Sequence, residues 1–214
     1  AAAGPEWGMG VDHGVTAADV PVISRFQVEP LLKARTKGKE SSNIDLSLGF
    51  AKKDGKAAAG ISKEGALLDL PEGEVLVPWK ALEKVAKSKG GVFAVDGETG
   101  EVDVIKAFSE DTQRGYSLMA TGPASPPTML VAGFGMHRIK DVDPKEDTRL
   151  KMKPLMPVRG CRCLDTCTGL AYTSIFAAVN GAAAVTTVEV DLPALEMCAA
   201  NPWSRRLFGA PGAG

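Results

Sequence analysis

Residues 161–191 constrain the fold more than any other stretch, because two short β-compatible runs there are separated by one loop and one helix. Cys161, Cys163 and Leu164 make an apolar run that ends on Asp165. A loop containing Gly169 follows, and Thr173 to Asn180 suits a helix. Gly181 then supplies a C-terminal stop. Val185, Val188 and Val190 lie in a run rich in β-branched residues, with Glu189 at its tail. The pattern predicts a strand–helix–strand unit with a carboxylate at the end of each strand.

Open α/β sheets bind ligands at the carboxyl ends of their parallel strands, and this arrangement suits a nucleoside. The N–H groups of the loop Thr166–Thr173 would face it, and Glu189, 24 residues after Asp165, would accept two hydrogen bonds from ribose hydroxyls. A dinucleotide pattern G-x-G-x-x-G laid on Cys167, Gly169 and Tyr172 fails at two of its three glycines, which disfavours NAD. Asp165 suits a cationic amino-acid group. S-adenosylmethionine carries both an ammonium and a ribose.

The runs Leu164-Asp-Thr-Cys-Thr-Gly-Leu-Ala-Tyr-Thr173, Val185-Thr-Thr-Val-Glu-Val-Asp191 and Asn201-Pro-Trp-Ser-Arg-Arg-Leu-Phe208 resemble the predicted archaeal-type class I S-adenosylmethionine-dependent methyltransferases. Gly135-Met-His-Arg138 and Asp143-Pro144 extend the resemblance, which covers roughly the last two fifths of the chain. It implies S-adenosylmethionine as cofactor, held by Asp165, Thr166, Cys167, Thr168, Gly169, Tyr172, Thr173, Glu189 and Asp191, with His137 and Arg138 at the border of the site. The chain departs from the family at Ala171, where glycine is expected and a methyl group would crowd the methionine end of the cofactor. It departs further in size. A class I sheet has seven strands, and here the chain stops after two strands and the helix that follows the second. The fold class implied is α/β, a small N-terminal α+β domain followed by the first half of a Rossmann-like methyltransferase domain.

The 214 residues, 44% of them apolar, suffice for one domain or one and a half. A net charge of −1, from 25 basic and 26 acidic side chains, gives no global attraction to nucleic acid or to an anionic membrane. No apolar run reaches the ~18 residues of a transmembrane helix. Four cysteines gathered late in the chain, at 161, 163, 167 and 198, are unlike a secreted disulfide framework and point to a reducing compartment. The first basic residue, Arg25, follows three acids, so the start is not a transit peptide. A processed organellar protein or a fragment begins this way. The Ala/Gly-rich termini make a plastid the first compartment to test.

Residues 1–42 read as an extended N-terminal arm, with Trp7 and His13 as a docking anchor or as part of an ordered tail, and with four bases in a solvated loop from Lys33 to Lys39. Residues 43–120 read as a small α+β domain. Its expected strands are Ile44–Phe50, Gly65–Leu70 and Glu74–Val77, then a helix opening at Pro78 with Trp79 in the core, a hairpin of Val92–Val95 with Val102–Ile105, and a strand at Tyr116–Met119. Residues 121–127, with three prolines in their last five positions, form the linker. Residues 128–208 make the partial methyltransferase-like domain, and 209–214 are tail.

Within 128–208, a strand at Thr128–Ala132 precedes His137 and Arg138. Asp143-Pro-Lys-Glu146 starts a helix that Pro154 closes, and Asp191 caps a helix running to Ala200. Cys161 and Cys163 share one strand face and are expected to be buried there, which argues against a zinc site. No catalytic base is identified.

Two functional readings follow. One is a methyltransferase whose remaining sheet lies outside this chain; the other is a methyltransferase-derived structural or assembly subunit of a larger complex. Either leaves an edge of the strand at Arg162–Asp165 to be covered by a protein partner or by the folded-back N-terminal arm.

Overall fold

A computed structural model describes residues 20–51 and 56–208. The positions of Trp7 and His13, the first part of the expected arm and the tail 209–214 lie outside the described residues. The described chain forms two compact units: residues 20–105 with Ser117–Pro127, and Lys106–Tyr116 with residues 128–208.

In the first unit the chain pairs β1 (Val22–Ile23) with β6 (Phe93–Val95) and then enters α1 (Arg25–Thr36). Ser24 starts this helix with a capping box: its hydroxyl accepts the Phe26 N–H, and Gln27 reaches back to the Ser24 N–H. The extended arm expected over 1–42 is therefore wrong for 25–36. Lys33 and Arg35 stand in the last helical turn, where cations complement the helix dipole, and are not in a loop.

An antiparallel meander follows: β2 (Ser41–Asp45), β3 (Lys56–Ile61), β4 (Gly65–Leu70) and β5 (Gly73–Pro78). Alternation puts Ala66, Leu68 and Leu70 of β4 and Val75 and Val77 of β5 inside, against Val28 and Leu31 of α1. Helix α2 (Trp79–Lys87) buries Trp79, Leu82 and Val85 in the same core. Trp79 donates its indole N–H to Ser62 O at 3.0 Å, and Arg35 stacks on its ring at 4.5 Å, so it is a core residue with a satisfied polar tip. Strand β7 (Val102–Val104) completes an antiparallel hairpin with β6.

The second unit contains β8 (Lys106–Ser109), the first residues of β9 (Arg114–Met119), β10 (Thr128–Val131) and β11 (Phe134–Gly135); β10 and β11 form an antiparallel hairpin. Helix α3 (Pro144–Met152) is capped by Asp143, whose carboxylate accepts the Glu146 N–H at 2.7 Å, and it tightens into a 3-10 turn at Lys153–Leu155 that contains Pro154. Then come β12 (Arg162–Asp165), α4 (Tyr172–Val179), β13 (Ala184–Thr187) and α5 (Leu192–Ala200), and a 3-10 segment, Pro202–Phe208. Strands β12 and β13 pair in parallel, with Cys163 opposite Val185 and Asp165 opposite Thr187. Val188 and Val190 lie beyond the end of β13.

This architecture overturns the α/β fold class and the Rossmann-like arrangement. The described strands fall into four sheets dominated by antiparallel pairing, the described helices are five and short, and the parallel pairing of β12 with β13 is confined to a two-stranded sheet. The physical reason is local. A single strand–helix–strand crossover makes one parallel ladder, whereas the short Gly- and Pro-bounded runs elsewhere connect through turns and pair antiparallel. No helix among the described residues is long and apolar enough to cross a membrane.

Candidate functional site

The loop between β12 and α4 is built around three polar anchors. Asp165, at the end of β12, accepts the Cys167 N–H at 3.3 Å on one oxygen; on the other it accepts the Thr173 hydroxyl at 2.5 Å and the Ser174 hydroxyl at 2.7 Å. The carboxylate thus ties the strand end to the first turn of α4. Thr168 is buried, and its hydroxyl pairs with that of Thr187 at 2.7 Å, bridging the loop to β13. Glu189, two residues past β13, accepts the Gly169 N–H at 3.0 Å on one oxygen and the Val190 and Asp191 N–H groups at 2.9 and 3.2 Å on the other.

A carboxylate offers about four lone-pair sites. Three donors already occupy each of Asp165 and Glu189, which leaves about one site on each for a ligand.

Two residues of the loop are left-handed. Gly169 has φ +49°, and a Cβ built on it would lie 2.4 Å from Met136 Cε, so Met136 is seated directly on the loop. Ala171 has φ +57° at the N-cap of α4 and is fully buried. Left-handed backbone favours glycine, which gives a conformational reason for glycine at this position. The Ala171 methyl group is not among the residues lining the cavity beside Asp165.

Met136 packs on the loop at Gly169, His137 packs on Tyr172 at the start of α4, and Arg138 turns to α3. The Nδ1 of His137 and the Thr128 hydroxyl lie 3.0 Å apart, and the His137 ring packs against Tyr172 with centroids 5.1 Å apart. Burial, with the Lys151 charge added, depresses the His137 pKa to about 4, so the ring is neutral near pH 7. Arg138 donates to the fully buried Asp147 at 2.6 Å, and Lys151 meets the same carboxylate at 2.8 Å. Burial works to raise the Asp147 pKa, but the bonds from Lys151 and Arg138 outweigh it and hold it below the usual carboxylate value. Arg138 is thereby committed to α3.

Tyr172 accepts Asn201 Nδ2 at 2.8 Å, and burial pushes its phenol well above the ordinary tyrosine pKa. Asn201 is fully buried and also donates to the Ser204 hydroxyl at 2.7 Å, which in turn donates to Leu170 O at 2.7 Å. The Asn-Pro-Trp-Ser segment thus braces the loop from behind.

Asp191 does not join the cluster. Its carboxylate makes no cap bond to α5 and accepts the Thr112 and Tyr116 hydroxyls, each at 2.6 Å. Burial works to raise its pKa, yet these hydroxyl bonds hold it below the usual value. Cys161 is exposed and Cys163 half-buried, which corrects the expectation that both are buried; Cys167 is exposed and Cys198 buried.

A cavity of about 450 Å³ opens beside Asp165, with Thr166, Thr173 and Ser174 at its polar end and Met152, Val158 and Cys163 among its apolar lining. Sequence reasoning missed Ser174, Met136 and Asn201. A second hydroxyl directly after Thr173 is the signal that pointed to Ser174. The other two stand inside the runs 135–138 and 201–208 that carry the resemblance, although no site role was assigned to them.

No known family model matches this chain. The chain is similar to the uncharacterized protein MJ1233 of Methanocaldococcus jannaschii, with 36% identity over 170 residues, 79% of this chain and 55% of that protein. The chain spans about half the length of this relative. A match of 170 residues is longer than the segment 128–208, so the likeness extends well beyond the loop motifs.

Proposed function

We propose that this chain binds S-adenosylmethionine at the β12–α4 loop and works in a methyltransferase-like protein. The observation that carries the reading is the placement of Asp165 and Glu189 at the ends of adjacent parallel strands, joined through Thr168, Gly169 and Thr173. The remaining acceptor site on Asp165 suits an ammonium, and that on Glu189 suits a ribose hydroxyl. The cavity beside Asp165, Thr166 and Thr173 has a volume within the range of ~300–1,000 Å³ usual for small-ligand sites, and Glu189 is not among the residues that line it. S-adenosylmethionine supplies an electrophilic methyl group. The protein's own part is to hold and orient it, and no described side chain is assigned as a base. Four unpaired thiols suit a reducing compartment.

Calorimetry with S-adenosylmethionine, S-adenosylhomocysteine and NAD tests the reading. Saturable binding of one of the first two, weakened by at least about tenfold in Glu189→Gln, is the expected result. Tighter binding of NAD, or no saturable binding of either sulfur nucleoside, would overturn it.

A second reading, a structural subunit of a larger assembly, is favoured by one observation. Leu164, Val188 and Val190 are 67%, 49% and 95% exposed beside the parallel pair. Parallel sheets otherwise occur almost only with both faces covered.

A further inference from the structure

We infer that the C-terminal half of α1, the turn after it and the outer face of α2 form a cationic surface that binds the phosphate backbone of duplex nucleic acid without reading its sequence. The inference goes beyond S-adenosylmethionine binding and does not depend on it. The net charge of −1 hides an uneven distribution. Residues 33–39 hold Lys33, Arg35, Lys37 and Lys39, and residues 80–89 hold Lys80, Lys84, Lys87 and Lys89, against one acid, Glu83. Every one of these bases is exposed.

Both segments belong to one compact unit, and the fold brings them together. Arg35 donates to Glu83 at 3.0 Å and stacks on Trp79 at 4.5 Å, which seats the end of α1 against α2. The turn after α1 is fixed, since Gly38 takes φ +67° and the Lys39 N–H donates to Ala34 O at 3.2 Å, so Lys37 and Lys39 project from ordered backbone. On α2, Lys80, Lys84 and Lys87 form one stripe about 10 Å long on the side away from the buried Leu82 and Val85. Among the described residues, none of the lysines in the two segments pairs with a carboxylate.

Helix dipoles account for only part of this charge. Lys33, Arg35, Lys84 and Lys87 stand in last turns, where cations are stabilising. Lys80 stands in the first turn of α2, where the dipole disfavours a cation, and one helical turn before Lys84, where like charges repel. A bound anion removes both penalties. The residue types select which anion. Protein interfaces are depleted in lysine, and helices that lie on membranes also insert apolar side chains, whereas no exposed large hydrophobic side chain falls in these segments. Trp79, the aromatic residue at the start of α2, is buried, so an unpaired base finds no ring there to stack on. A duplex keeps its bases stacked on one another and presents phosphates, which lysine meets as a point charge.

Fluorescence anisotropy of the 214-residue protein with a labelled DNA duplex of about 20 base pairs, from about 50 to 200 mM salt, tests the inference. Saturable binding that weakens steeply with salt is expected. Lys80→Gln, Lys84→Gln and Lys87→Gln combined should weaken binding at least about tenfold at the lower salt and flatten the log–log salt slope by about 2–3. The same loss of charge away from this surface, in combined Lys140→Gln, Lys145→Gln and Lys153→Gln, should change affinity less than about threefold. Lys80→Gln alone should bind more weakly yet melt no lower than the parent, which separates lost binding from lost folding. The inference is overturned if the duplex does not bind saturably, if the two triple variants lose affinity alike, if the single strand binds more tightly than the duplex, or if poly-glutamate or phosphatidylserine vesicles bind as tightly as the duplex.

Discussion

The backbone N–H of Gly169 donates to the Oε2 of Glu189 at 3.0 Å, although the two residues are 20 positions apart. Glu189 is half-buried, and its other oxygen accepts two further backbone N–H groups. Hydrogen bonds to charged groups contribute about 1.5–3 kcal/mol each, and three on one carboxylate do not add. Glu189→Ala is expected to cost about 2 kcal/mol, because it leaves the partly buried Gly169 N–H without its acceptor. Glu189→Gln keeps one carbonyl oxygen and should lose less. Urea denaturation of the three proteins checks the order; equal midpoints would show that the loop does not depend on this carboxylate.

Ala171 is fully buried at φ +57°. Two effects oppose each other in Ala171→Gly. Relief of left-handed backbone gains about 1–2 kcal/mol, while the lost methyl and the extra freedom of the unfolded chain each take back up to about 1 kcal/mol. The stability should therefore stay within about 1 kcal/mol of the parent. Ala171→Val keeps the strain and adds branching at Cβ, and should cost more than about 2 kcal/mol. Thermal melts of the two variants separate the cases: a valine protein as stable as the glycine one would remove the conformational argument.

How far these features were legible depends on whether the signal is local. Strand β4, the β6–β7 hairpin and the Asp143 cap of α3 follow from alternation, turn residues and cap chemistry. Helix α1 carried a readable Ser24-x-x-Gln27 capping box, but Pro30 inside it and its many charges obscured the pattern. Strand β3, Lys-Ala-Ala-Ala-Gly-Ile, has little intrinsic β preference and is held by its two neighbours. In the site, acids at strand ends could be read from spacing. Asp191 could not be placed, because its partners Thr112 and Tyr116 lie 79 and 75 residues away.

Gly169→Ala introduces a Cβ that meets Met136 Cε at 2.4 Å, in a left-handed conformation. The steric part is removable, since Met136 is flexible, while the conformational part of about 1–2 kcal/mol is not. In a double-mutant cycle with Met136→Ala, the coupling should exceed about 0.5 kcal/mol, with Gly169→Ala less harmful in the Met136→Ala background. Additive effects would mean that Met136 does not rest on the loop.

The pH dependence of stability isolates His137. Its folded pKa is depressed from 6.5 to about 4, chiefly by burial, with Lys151 lowering it further and Asp147 partly opposing the shift. The unfolded chain therefore binds a proton between these values that the folded chain excludes. The contribution is fully present above pH 6.5 and is lost progressively as pH falls toward 4. A shift of this size corresponds to on the order of 3 kcal/mol. Asp147, also depressed, acts in a different window, since its contribution persists down to its unfolded value of 3.8 and is lost only below it. Urea unfolding from pH 7 to pH 4.5 should show a falling stability in the parent protein and a flatter profile in His137→Gln, whose amide does not titrate. An unchanged slope in the variant would place the proton uptake elsewhere and would mean that His137 is not held neutral between Thr128 and Tyr172.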